Sequence, residues 1–427
     1  MADVCGSSAD ELLRNSWELC GDEPILPMNE RVKYMILGAG PAGLAFAHTL
    51  LDQGIGSFVV LEKEAEAGGL CRSADVDGAP LDIGGGHFLD VRNREVLDFL
   101  FRFMPESEWN RHIRVARIRH QGNEVDHPLE ANLWQLPVER QADYLESIAR
   151  AGCVRGEPMP ESFEEWCRWK FGDRIAGDYM VPYNRKLWRM PLNELGTYWL
   201  YKLPDVSFRE TLMSCLQRRM HGALPAHGEF LYPKRHGYGE VWRRMGQALG
   251  DRLLAGTPVT AVDPGRRVVN GCFQAEVIVN SIPWTVWRDV GAFPPEVAEA
   301  AGRLVSVPID VDYGAGIAHG SAHWIYEPDE AAGYHRVLVR SNFLPGARGG
   351  WTETNARVSP PPEGFRHRNE FAYPVNTVDK PQVVARIHDW AKGLDILPLG
   401  RWGQWEHMNS DVAVASGIAA ARTILSR

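Results

Sequence analysis

Three glycines, Gly38, Gly40 and Gly43, follow the apolar run KYMIL and open the run AGLAFAHTLLDQG. In that pattern the first glycine permits a tight turn, the second lets a phosphate approach the main chain, and the third lets helix and strand pack closely. The helix start then offers unpaired N–H groups and a positive dipole end to an anion. Glu62 closes the next apolar run, SFVVLE, 19 residues after Gly43, where a carboxylate can accept hydrogen bonds from ribose hydroxyls. The combination predicts a dinucleotide site, with Ala42 inside the motif and Lys63 beside the acid as further candidates. A second glycine pair, Gly68-Gly69, follows Glu62 by six residues and leads into Leu70, and a third cluster, LDIGGGHF, places Gly86 and His87 before an aromatic ring.

The elements that must position these residues are readable from pattern. KYMILGAG, AGLAFAHTLLDQG and SFVVLE predict strand, helix and strand, the start of a βαβ unit. Segments such as VERQADYLESIARAG and SFEEWCRWKFGDRIAGDYM predict helices across 137–222. Short strands are expected in RLLAGTPVTAVD, AEVIVNSIP and HRVLVRSNF, and SDVAVASGIAAARTILSR predicts a final helix with small residues on its packing face. The Pro/Gly-rich stretches 345–369 and 374–381 read as loops, and residues 1–30 as a polar appendage.

A length of 427 residues suits two or three domains. The formal charge of −9 argues against non-specific nucleic-acid binding. Arginine outnumbers lysine 38 to 8, a supply of bidentate anion-binding groups. MADVCGSSADELL has no basic region followed by an apolar core, so no signal peptide is expected. The most apolar window, YMILGAGPAGLAFAHTLL, is broken by glycines and a proline and reads as a buried strand-turn-helix rather than a membrane span. Seven scattered cysteines without a CxxC pair suit a reduced, cytoplasmic protein lacking structural zinc.

Glycine clusters after the acidic residue resemble those of the large FAD-dependent family of amine oxidases, desaturases and sugar mutases, where they let the chain pass close to a flavin. FAD is therefore the expected cofactor. Four further segments resemble the UDP-galactopyranose mutase family, its eukaryotic-type branch more than the bacterial one. YNRKLWRMPLNEL, from Tyr183, is similar to the family's Tyr-Asn-x-Lys-x-Trp segment. WIYEPDEAAGYHRVLVRSNF, from Trp324, keeps a Trp-x-Tyr pair and, 12 residues after the tryptophan, an arginine. GRWGQWEH, from Gly400, is similar to a Gly-Arg-Phe-Gly-Ser-Trp block, and FLYPKRHGYGEVW to an aromatic-Pro-x-x-Gly-x-Gly stretch.

The resemblance implies an α/β chain. A discontinuous Rossmann-like FAD-binding domain (31–104, 236–290 and 396–427) would accompany a helical domain (137–222) and an antiparallel-sheet substrate domain (105–136, 223–235 and 291–395). It implies an isomerase, a pyranose–furanose mutase of nucleotide sugars in which reduced flavin N5 attacks the anomeric carbon. The nucleoside diphosphate leaves, the sugar recloses as a furanose, and the nucleotide returns. The flavin must first be reduced, with NADH or NADPH as candidate reductants. A nucleotide-sugar is the expected partner, with no nucleic acid, membrane or metal, and a homo-oligomer is allowed.

In that reading Arg336 and Arg401 match the family's two diphosphate arginines, which can grip a departing anion bidentately. Tyr326 and Tyr373 match tyrosines on the phosphates. Trp188 and Trp324 supply apolar walls, and Asn184 and Lys202 are further substrate-side matches. Gly86 and His87 match the pair beside the flavin, making Arg336, Arg401 and His87 the expected catalytic set. Asn409, Ser410 and Asp411 would meet FAD at the last helix. Ordinary salt bridges for the arginines, packing for the tyrosines, a turn role for His87 and an N-cap role for Asn409 are the alternatives.

Several family positions are changed. Phe343 and His407 stand where the family has tyrosines, and His227 where it has an asparagine, which alters the hydrogen-bonding inventory around the sugar. DHPLEAN stands in place of Pro-Tyr-Pro-Phe-Gln-Asn-Asn, whose aromatics and glutamine hold uracil. Its Glu130 is an acceptor when ionised and suits the paired donors of guanine, N1–H and N2–H₂, rather than uracil O4. His127 and Leu129 replace larger aromatics and would make room for a purine. A GDP-hexose of the galactose type is the expected substrate, as for family members in actinobacterial antibiotic pathways. UDP-galactopyranose, an amine oxidised by a flavin oxidase, and a binding protein without catalysis stay open, as does a merely solvated Glu130.

Overall fold

The computed structural model describes residues 31–200, 205–222, 228–318 and 320–426. Lys202, His227 and the appendage at 1–30 lie outside the described residues. The described residues divide into two compact units, those within Met1–Gly69, Trp242–Leu304 and Gln382–Arg427, and those within Leu70–Val241 and Val305–Pro381.

In the first unit the strand Val32–Leu37 lies between Phe58–Leu61 and Phe273–Asn280, all parallel, with Leu253–Leu254 beyond the former and Ile396–Pro398 beyond the latter. Near-continuous apolar runs such as YMIL and FVVL suit strands covered on both faces. The helix Pro41–Asp52 starts with proline in its first turn, where a missing N–H costs nothing. The last helix, Ser410–Leu425, packs against it so closely that a Cβ on Gly417 would stand 2.5 Å from the Ala42 carbonyl oxygen. A small-residue face was the expectation, and this contact is its reason. Of RLLAGTPVTAVD, expected as strand, only Leu253–Leu254 and Val262–Asp263 are extended pairs. Gly256 and Pro258 interrupt it, and Gly256 and Thr257 instead donate to the carbonyls of Glu64 and Glu62.

The second unit holds a sheet in the order Arg366–Pro374, Ser306–Gly314, Gly350–Asn355, Arg336–Val339, Trp324–Tyr326, Ala116–His120, Asn123–Asp126. Its pairs are antiparallel except where Trp324–Tyr326 runs parallel to Ala116–His120. Helices Val138–Ala149, Phe163–Ile175, Val181–Trp188 and Phe208–Gln217 come from the stretch expected to be helical, with π spacing at Ala176–Met180. The expected loop 345–369 is corrected: it contains the strand Gly350–Asn355 and the first residues of Arg366–Pro374. TETN and RHRNE lack the apolar alternation that marks a strand. Their polar side chains are matched inside the sheet instead, Arg366 with Asp312 and Arg368 with Asp310 across the strands. Among the described residues no helix is long and apolar enough to cross a membrane.

Candidate functional site

In the first unit, Gly38 has φ +96°, Gly40 is the extended N-cap of Pro41–Asp52, and a Cβ on Gly43 would lie 2.2 Å from the Gly38 carbonyl oxygen. A Cβ on Gly40 would meet no protein atom within 4 Å, so the space before this helix start is open. Glu62, buried, accepts the Ala39 N–H through Oε2 at 2.8 Å and the Glu64 N–H through Oε1 at 3.0 Å. Its carboxylate thus holds the glycine turn in shape. Gly68 donates its N–H to Ala39 O at 2.8 Å, which brings the second glycine pair onto the first turn, while Lys63 is exposed. Ala42 is a packing residue: a Cβ on Gly400 would stand 2.6 Å from its own. Arg401 donates through Nε to Met408 O at 3.1 Å and through Nη2 to the same oxygen, which steadies the chain entering the last helix. There Asn409 is exposed, Ser410 and Asp411 are buried, and His407 is half-buried.

In the second unit, strand register sets Arg336 opposite Glu353 on one side and Tyr326 on the other. Arg336 Nε donates to Glu353 Oε2 at 2.9 Å, and Nη2 donates to that oxygen and to the Tyr373 hydroxyl at 3.3 Å. Glu353 Oε1 accepts the Gly86 N–H at 3.0 Å, and His335 Nε2 lies 3.6 Å from Oε2. Burial opposes charge on this carboxyl, but Arg336 first, then His335 and the Gly86 N–H, outweigh it and pull the Glu353 pKa down to about 2. The Gly85-Gly86 turn leaves no room for side chains: a Cβ on Gly85 would stand 2.6 Å from Glu353 Oε1, and one on Gly86 2.1 Å from Leu338 Cδ2. His87 pairs through Nδ1 with Gly85 O at 3.0 Å and stacks on Tyr238.

A second guanidinium joins this group. Arg114 Nη2 donates to the Tyr326 hydroxyl at 2.9 Å, and its guanidinium carbon lies 5.2 Å from the Trp324 ring centre. Arg114 thus places a second guanidinium beside Tyr326. Tyr183 meets Tyr326 edge-on at 5.6 Å and His335 at 6.0 Å, and burial holds its hydroxyl protonated. Sequence reasoning overlooked both residues as site members, although Arg114 stands in an arginine-rich stretch and Tyr183 opens YNRKLWRMPLNEL.

Trp188 lies edge-on to Tyr373 at 6.4 Å. Asn184 is spent on holding it: its Oδ1 accepts Trp188 Nε1 at 2.9 Å, and its Nδ2 donates to Met180 O at 2.8 Å. The His127 ring lies 5.2 Å from Tyr326, and burial, then Arg114, push its pKa down to about 3, so it is neutral. Glu130 is 6% exposed in the turn Leu129–Ala131, and burial pushes its carboxyl up to about 7 against weak opposition from its own N–H and Lys170. Its charge is felt by the Tyr179 hydroxyl, and the Tyr179 ring lies 5.9 Å from that of Tyr183. Leu129 and Phe343 are packing residues instead: both are fully buried, Phe343 among Phe230, Tyr232, Trp324 and Trp351. Trp324 is part of that aromatic core and offers Arg114 one face.

Residues 41–310 match the sequence profile of flavin containing amine oxidoreductases. The chain belongs to that family. Its cofactor is FAD. This flavoprotein fits the group by its own geometry, with an open helix start at Gly40 and a carboxylate-braced glycine turn. Its structure is similar to that of a reduced UDP-galactopyranose mutase, with a TM-score of 0.82, 21% identity and coverage of 93% of this chain and 94% of that one. It also resembles cyclohexylamine oxidase from Brevibacterium oxydans IH-35A (TM-score 0.63, 16% identity, 93% and 100% covered). A fatty acid isomerase from P. acnes shares the fold as well (TM-score 0.62, 14% identity, 93% and 99% covered). At such identities the likeness speaks for the fold.

Gly43→Ala is expected to displace the first glycine turn, a clash costing about 1–3 kcal/mol, and to weaken FAD retention about tenfold or more. The flavin-to-protein absorbance ratio after gel filtration, compared with the circular dichroism of the same sample, checks it.

Proposed function

We propose that this flavoprotein is a nucleotide-sugar pyranose–furanose mutase, an isomerase working with reduced FAD, and that its substrate is a GDP-hexose of the galactose type. The observation that carries the reading is the constellation of Arg336, braced by Glu353, with Tyr326, Tyr373 and a second guanidinium, Arg114. A departing and returning diphosphate needs fixed donors and positive charge that do not have to reorganise. An amine substrate, itself cationic, would be repelled by the same groups.

When bound and reduced, FAD supplies the nucleophile toward the anomeric carbon. The chain's own residues do the rest of the work in this reading. Arg336 and the hydroxyls of Tyr326 and Tyr373 receive the phosphate oxygens, and Arg114 offsets their charge. Arg401 matches the family's second diphosphate arginine by sequence and in the first unit is steadied by the Met408 carbonyl. Trp188, locked by Asn184, gives the sugar an apolar wall, and the Gly86-His87 turn serves the flavin side. Glu130 reads guanine through N1–H and N2–H₂, with neutral His127 near the base. Glu130 supports this because it is a buried carboxyl to which no other side chain donates a hydrogen bond among the described residues.

The test is turnover by the anaerobically reduced holoenzyme offered GDP- and UDP-hexoses, with products separated by chromatography. A GDP-furanose product is expected. Peroxide release from an amine in air, without isomerised sugar, would instead make the protein an oxidase, and a UDP-furanose alone would end the guanine reading.

A further inference from the structure

Glu353 is a buried carboxylate of the second unit that joins a strand arginine to a glycine turn. It is 1% exposed, and its two oxygens divide their partners. Oε2 takes both Nε and Nη2 of Arg336, with His335 Nε2 at 3.6 Å, while Oε1 takes the Gly86 N–H at 3.0 Å. Gly85, with φ +95°, is pressed so near Oε1 that a methyl group there would stand 2.6 Å away. The carboxylate therefore has no room to move on the glycine side, and only its partners can change.

We infer that Glu353 is a positioning residue that couples occupancy of Arg336 to the Gly85-Gly86-His87 turn. An anion that draws N–H groups of Arg336 toward itself leaves the carboxylate less neutralised. Glu353 then leans harder on its remaining hydrogen-bond donor, the Gly86 N–H, because hydrogen bonds that share a group polarise one another. Loading the arginine thus stiffens a turn held by the other oxygen of the same carboxylate. The inference rests on the reading of Arg336 as a diphosphate ligand, and the experiment separates the two.

Hydrogen exchange of the segment 82–89 is followed in the oxidised holoenzyme with and without GDP or UDP, and binding is measured by calorimetry. Exchange of the Gly86 amide is expected to slow by about threefold or more on binding. In Glu353→Gln, compared at nucleotide concentrations that saturate each protein, the response of 82–89 is expected to disappear. Arg336→Lys, which keeps the charge but not the two-nitrogen fork, should lose the response too, so the test survives a Gln variant that folds poorly. Absence of nucleotide binding to the parent would overturn the diphosphate reading and the coupling with it. Binding with unchanged exchange would overturn the coupling alone, as would a response that persists in Glu353→Gln, since direct contact would then explain it.

Discussion

Arg336→Ala is expected to lower kcat/KM for the nucleotide sugar by about 10³-fold, the size of losing a pre-set charged donor from a site where negative charge collects. Its second effect falls on the fold. Glu353 would keep its burial and lose its main compensating charge, and breaking a buried pair from one side costs about 3–5 kcal/mol. The two effects separate by pH. In the parent the Glu353 carboxyl is held down to about 2, so the stability it contributes is complete above the ordinary carboxyl value and is lost as pH falls toward 2. In Arg336→Ala burial dominates and the carboxyl titrates high, so charging it destabilises the fold at neutral pH and does nothing in acid. The stability difference between parent and variant should therefore be largest near neutrality and shrink in acid. Denaturant unfolding across that range measures it. Replacing both partners with methionine should recover much of the stability and none of the turnover; recovered turnover would remove Arg336 from the reaction.

What could be read before the structure divides along a physical line. The first unit was legible because glycine spacing reports backbone constraints that only glycine meets: a positive φ at Gly38 and a carbonyl 2.2 Å from any Cβ at Gly43. Parallel strands buried on both faces also announce themselves as apolar runs. The polar half of the sheet in the second unit was not legible. Gly350–Asn355 and Arg366–Pro374 are strands whose buried side chains are satisfied by partners far away in sequence, such as Arg336 for Glu353 and the Ile83 carbonyl for Asn369. Nothing within a short window reveals such partners, and proline and glycine nearby point to loops. For the same reason Arg114 looked like one of many arginines, although it donates to a hydroxyl 212 positions away. The expected walls fared unevenly. Trp188 is presented by its own helix through Asn184, while Trp324 and Phe343 went into an aromatic core whose members come from four separate segments.

Glu130→Gln is expected to shift the ratio of kcat/KM for GDP- over UDP-hexose by about 10²-fold toward uridine, about tenfold from each base. Glutamine can donate to uracil O4 and accept from N3–H, but it offers guanine only one acceptor. The pH profile makes the claim sharper. Burial lifts the parent carboxyl to about 7, so near neutrality the group is divided between acid and carboxylate. Guanine needs the carboxylate, so its binding lowers that pKa and releases a proton. Apparent affinity for a GDP-hexose should then rise with pH through about 7 and level above it, falling up to about tenfold per unit below. The acid form can donate to uracil O4, so a UDP-hexose should follow the opposite trend and the preference should narrow in mild acid. The neighbours do not mimic this behaviour: burial keeps the Tyr179 hydroxyl protonated, His127 stays neutral with its pKa near 3, and Lys170 is ion-paired with Asp205. Calorimetry with GDP- and UDP-hexoses, whose diphosphate diester has no proton to lose across this pH range, on oxidised parent and Gln variant, reads the outcome. The variant should be flat with pH, because an amide has no proton to release there, and a variant profile that matches the parent would take Glu130 out of base recognition.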